Sequence, residues 1–171
     1  MLKRYIALLI IVFLFLFYFS CADEEGSCSC CTAENGAMEI TLEEDRVIKD
    51  YLVKSIISPN FGGEVFSAYS LLGRNEDQLY IWAYTQEFYE DSGDINRGTG
   101  RSGPLVLLVN NSDEMLLITG HKELRDGSYY SEDIKMLFPP EVQDKISGFQ
   151  GSPELKRIIY EVEEKAYQEL K

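Results

Sequence analysis

The residues equipped for chemistry fall in three places. The first is Asn96-Arg-Gly-Thr-Gly-Arg-Ser-Gly103. Its glycines would let backbone amides approach an anion, and Arg97 and Arg101 can pair with phosphate or carboxylate. The stretch lacks both the Lys-Ser/Thr pair of a phosphate-binding loop and a G-x-G-x-x-G opening a helix; it runs into a strand instead. A flexible hairpin loop is the plainer reading. The second place holds His121, Glu123, Asp126 and Ser128. A serine, a histidine and an acid are the parts of a catalytic triad, but hydrogen-bond geometry defines a triad, and no G-x-S-x-G elbow is present. Arg125-Asp126-Gly127 reads more simply as a tight turn. No residue is therefore assigned a catalytic role. The third place is Cys28, Cys30 and Cys31. A closed metal site needs four ligands, no second cysteine cluster exists, and the sole histidine is distant, so neither a metal nor a cofactor is expected. Adjacent Cys30 and Cys31 bridge each other only with strain. In an oxidising compartment Cys28 and Cys31 are the best-placed disulfide pair, leaving one odd thiol.

What delivers those thiols is the segment before them. Lys3-Arg4, an apolar run from Tyr5 to Phe19, and a small Ser20 are the three parts of a secretory signal. With Cys21 next, the segment resembles a bacterial lipoprotein signal, whose cysteine carries a diacylglyceryl thioether. Tyr18 and Phe19 stand where that class prefers a leucine and a small residue. Residues 1–20 are expected to be a signal peptide, Cys21 the lipidated residue, 21–37 a flexible tether and 38–171 a single domain. An uncleaved anchor helix and a cleaved leader without lipid are the alternatives. The run from Tyr5 to Phe19 is short for a span, roughly 22 Å at about 1.5 Å per residue against a hydrocarbon core of about 30 Å. All three readings place the domain at or beyond the outer face of the cell membrane.

Composition narrows the partners. The chain carries 16 basic and 29 acidic residues, a net charge of −13. Loss of residues 1–20 removes Lys3 and Arg4, leaving 14 basic residues against 29 acidic, or −15. Such a surface opposes nucleic acid and anionic headgroups and favours solubility. The stretch from Met38 onward is long enough for one compact core.

The elements that must position these residues follow from periodicity. Thr41 to Ile57 predicts a helix, opened by a Thr41/Glu44 capping box, with Val47, Ile48, Tyr51, Leu52 and Ile56 on one face. Glu64–Leu72 and Leu79–Tyr89 alternate as strands. In the second, Leu79, Ile81, Ala83 and Thr85 face one way and Tyr80, Trp82, Tyr84 and Gln86 the other; the aromatic set needs a cover, either a helix or a ligand. Asp91–Gly103 reads as a long connection, followed by strands Leu105–Val109 and Glu114–His121 about a tight turn at Asn110–Asp113. Short connections imply an antiparallel meander. Ser131 is the expected cap of a short helix to Phe138; Pro140 opens another turn, and Ser152-Pro153 caps a final helix with a stripe from Leu155 to Leu170. The class is α+β: an N-terminal helix, a four-stranded meander sheet and C-terminal helices, with the helices all on one sheet face, in a cystatin-like or related curved arrangement.

Two stretches, G-T-G-R-S-G-P-L-V-L-L-V and H-K-E-L-R-D-G-S-Y-Y-S-E-D-I-K-M-L-F-P-P, resemble a group of uncharacterised exported or lipoprotein domains from Gram-positive bacteria, over about Tyr69 to Ile146. The resemblance implies an exported, non-enzymatic domain and assigns no site residues. The expected function is a membrane-tethered binding or interaction module, with Arg97, Arg101, Trp82 and His121 as the places to look for a ligand and an extracytoplasmic protein or small molecule as partner. The alternative is an envelope enzyme, hydrolase-like, using His121 with Asp126 or Glu123.

Overall fold

A computed structural model of the chain describes residues 39–110 and 115–171. The expected leader, Cys21, the expected tether with Cys28, Cys30 and Cys31, and most of the turn expected at Asn110–Asp113 lie outside the described residues.

Helix α1 (Leu42–Ser55) starts where the capping box places it. The Glu44 amide donates to Thr41 Oγ1 at 3.2 Å, and the Thr41 amide donates to Glu44 Oε2 at 2.8 Å. The helix ends two residues short of the expected Ile57, with Ile56 as its cap. It buries Ile48 and Leu52 completely.

The sheet is a four-stranded antiparallel meander in the order β1-β2-β3-β4. Its strands are β1 (Glu64–Arg74), β2 (Gln78–Asp91), β3 (Asp94–Asn110) and β4 (Leu117–Glu123). Three expectations fail here. The connection read at Asp91–Gly103 is strand from Asp94 onward, and the turn is only Asp91-Ser92-Gly93-Asp94. Ser92 (φ 55°) and Gly93 (φ 89°) both take the left-handed conformation that a two-residue hairpin turn demands. Glycine, serine and arginine masked the strand because they carry no β-pattern; pairing with β2 holds it. Strand β4 begins and ends later than expected, so His121 sits inside it rather than at its end.

The third failure concerns the layers. Helices cover both sheet faces, not one. Strand β2 is apolar on both sides, so each side must be shielded from water. Leu79, Ile81 and Ala83 join Leu105 and Leu107 beneath α1. Tyr80, Trp82, Tyr84 and Phe88 face the C-terminal helices α2 (Tyr130–Leu137), α3 (Pro140–Phe149) and α4 (Pro153–Glu169).

The starts of those helices are mostly as expected. Ser152 caps α4, its Oγ accepting from the Leu155 amide at 3.1 Å, and Leu155, Ile158, Val162 and Ala166 are buried along one stripe. Pro140 opens α3. Ser131 is not the cap of α2: a 3₁₀ turn at Gly127–Tyr129 runs directly into the helix, so Ser131 already lies in its first turn. No helix among the described residues is long and apolar enough to cross a membrane.

Candidate functional site

The Arg-Gly segment is strand, and its two arginines diverge. A bulge in the β2–β3 ladder between Gln86 and Phe88 switches the faces on either side of it. Arg97, opposite Phe88, reaches Glu163 on α4. Arg101, opposite Thr85, turns to the other face and meets Glu123 Oε2 at 2.7 Å. Each guanidinium already has a carboxylate, and the two do not converge on one anion.

The glycines do bring backbone close to an anion, but the anion is the protein's own. Glu87, on β2, is completely buried. Its Oε1 accepts from the amides of Phe61 (2.8 Å) and Gly63 (3.0 Å), and its Oε2 from those of Asn60 and Thr99, both at 3.0 Å. Burial alone would push this carboxyl up; the four N–H donors outweigh it and bring its pKa down to about 2. Gly98 and Gly100 make the room. A Cβ at Gly98 would lie 2.6 Å from Glu87 Oε2, and one at Gly100 would lie 2.2 Å from Gln86 Oε1. The Gln86 amide in turn donates to the Glu87, Gly98 and Thr99 carbonyls. Sequence reading missed Glu87. The available signal was a polar Thr-Gln-Glu inside an otherwise apolar strand, followed by a glycine pair on the next.

His121 is held from both sides. The Tyr51 hydroxyl of α1 lies 2.8 Å from Nδ1, and Glu123 Oε1 lies 3.4 Å from Nε2. With the phenol as donor, the neutral ring carries its proton on Nε2, facing the carboxylate. Burial, together with the Glu123 charge, raises the Tyr51 pKa and keeps that phenol protonated. The chain Tyr51–His121–Glu123–Arg101 thus ties α1 to β4 and β3. Among the described residues no hydrogen bond or ion pair joins Asp126 or Ser128 to His121; Ser128 lies in the 3₁₀ turn and Asp126 immediately precedes it. The triad parts are not assembled.

Trp82 is 4% exposed, its ring stacked on Phe149 of α3 with centroids 4.7 Å apart, and its Nε1 donates to Ser102 Oγ at 3.1 Å. The cover over the aromatic face is therefore a helix. The tight turn expected at Arg125-Asp126-Gly127 is held by a further buried acid that sequence reading missed. Asp133 accepts from the Arg125 amide at 2.8 Å and from its guanidinium at 2.5 Å. That guanidinium holds the Asp133 carboxyl down at about 2. Among the described residues no group of three His, Cys, Asp or Glu side chains is placed to hold a metal ion.

Beside Trp82, α2 and α3 leave an open groove of about 490 Å³. Its lining includes Trp82, one of the candidate ligand residues read from the sequence. Comparison of the chain with protein-family models, with curated proteins and with solved structures returned no match.

Proposed function

We propose that the chain is an exported, membrane-tethered protein whose domain from Met38 is a non-catalytic binding or interaction module, anchored by lipid on Cys21. The order Lys3-Arg4, apolar Tyr5–Phe19, Ser20-Cys21 carries this reading. A cysteine bearing two or three acyl chains holds a bilayer firmly, at about 0.8 kcal/mol per buried methylene. The resemblance over Tyr69–Ile146 and the acidic surface support the same placement. The engagement of His121 by Tyr51 and Glu123 favours a structural role for that ring over a catalytic one.

The test is metabolic labelling with a fatty acid followed by fractionation. Wild type should take up label and sediment with membranes, and Cys21→Ser should do neither. Persistent labelling of the serine variant would remove the lipoprotein reading. The envelope-enzyme alternative draws on the 3.4 Å contact between His121 and Glu123. It requires His121→Ala to abolish turnover, whereas the module reading requires that variant to keep its ligand.

A further inference from the structure

The loop that joins α1 to β1 is tied down almost entirely by one side chain. From Ser58 to Gly62 every residue is exposed, and none belongs to either core cluster. Among the described residues, the hydrogen bonds of Ser58–Gly63 run to two places only. The amides of Asn60, Phe61 and Gly63 donate to the Glu87 carboxylate at 3.0, 2.8 and 3.0 Å, and Asn60 Nδ2 donates to Thr99 Oγ1 at 3.0 Å. One ring contact adds to these: Phe61 stacks on Tyr89 with centroids 5.1 Å apart. Both ends of this stretch can turn. At one end α1 has already stopped at its cap, Ile56, and Pro59 lacks the amide that would continue it. At the other, Gly62 takes φ 75°, and a Cβ at Gly63 would lie 2.1 Å from the Phe88 carbonyl oxygen, so the chain enters the sheet through two glycines.

Lifting the loop breaks hydrogen bonds rather than core packing. Each amide bond to a charged acceptor is worth about ten- to a hundredfold in an equilibrium. The apolar surface newly exposed is little more than the inner face of Phe61, whose side chain is already 57% exposed. Water entering would solvate Glu87 and offset part of the loss. Segments with few buried apolar contacts open locally, ahead of the domain as a whole.

We propose that Ser58–Gly63 is a strap that opens and closes as one unit over the Glu87 carboxylate while the sheet and helices stay folded. Closed, it buries the acid and fixes where α1 hands the chain to β1. Open, it admits solvent to Glu87 and Thr99 and uncovers the ring face of Tyr89.

Amide hydrogen exchange separates a local opening from a global one by its urea slope. The full chain in detergent micelles is followed by NMR at several urea concentrations below the unfolding transition. The amides of Asn60, Phe61 and Gly63 should share one opening constant, within about threefold, that hardly changes with urea. The amide of Ile81, at the centre of the sheet, should show a smaller opening constant with the full slope of unfolding. Gly62→Ala adds a methyl with no neighbour within 4 Å but at positive φ. It strains the closed strap alone and should raise the shared constant about five- to thirtyfold with its urea slope unchanged. Asn60→Ala, which removes only the side-chain bond to Thr99, should raise it about two- to tenfold. Any of three results overturns the proposal: the three amides carry the full urea slope, their opening constants differ by more than about threefold, or Gly62→Ala leaves them unmoved.

Discussion

Replacing Glu87 by glutamine tests the internal anion directly. The substitution keeps size and shape but provides one oxygen where the carboxylate has two. That oxygen can serve Phe61 and Gly63, or Asn60 and Thr99, but not both pairs. The amide nitrogen then points its own hydrogens at two backbone N–H groups. Each hydrogen bond to a charged acceptor is worth about ten- to a hundredfold in the folding equilibrium, so losing two should raise the unfolding constant at pH 7 on the order of a hundredfold or more. The pH dependence gives a second, independent reading. The folded carboxyl sits at about 2 against an ordinary 4.5. A depressed folded value means the stabilisation is complete above 4.5 and is lost as pH falls toward 2. Within that interval unfolding takes up one proton on Glu87, and the unfolding constant grows by up to tenfold per pH unit, compounding to about 300-fold. Asp133, also near 2 when folded, adds its own proton in wild type and variant alike. Urea denaturation followed by Trp82 fluorescence between pH 6 and 2.5 would measure both effects. The glutamine variant should be less stable at pH 7, and its stability should vary with pH by one proton fewer. If it matches wild type in both midpoint and slope, the four-amide cradle does not hold this end of the sheet.

Other substitutions separate structural contacts from decorative ones. Thr85→Val should be neutral or stabilising by about 1 kcal/mol in the same urea assay, because the Thr85 hydroxyl is buried without a partner. Phe149→Ala removes the ring stacked on Trp82 and should lower stability by about 3–5 kcal/mol, with a red shift of Trp82 emission. Arg97→Ala, which breaks only a largely exposed pair with Glu163, should change stability by no more than about 1 kcal/mol; a larger loss would give that pair a role its exposure does not support. Gly100→Ala should destabilise markedly, since its methyl would meet the Gln86 amide oxygen, and Gly103→Ala, with open space beyond it, should not.

Much of the scaffold was legible in local patterns. The Thr41/Glu44 box, the Ser152-Pro153 cap and the stripe from Leu155 to Ala166 are short-range features, and each formed where its residues stood. So were the two faces of β2, whose alternation assigned Trp82 and Leu79 to opposite sides. The first half of β3 was not legible, because its glycines serve side chains of the neighbouring strand rather than any local preference. The candidate sites were harder still. Arg97 and Arg101 are four residues apart, and a single bulge sends them to opposite faces.

Taken alone, the residue order determined the acidic balance, the α+β class, the meander and the starts of α1, α3 and α4, because each depends on composition or on neighbours within a turn or a strand. Tertiary structure alone decided that helices cover both faces, that the amides of Asn60, Phe61, Gly63 and Thr99 cradle Glu87, that His121 meets Tyr51 from 70 positions away, and that an open groove survives beside Trp82. Those outcomes depend on which distant groups burial brings within hydrogen-bond reach, and no local spacing encodes that distance.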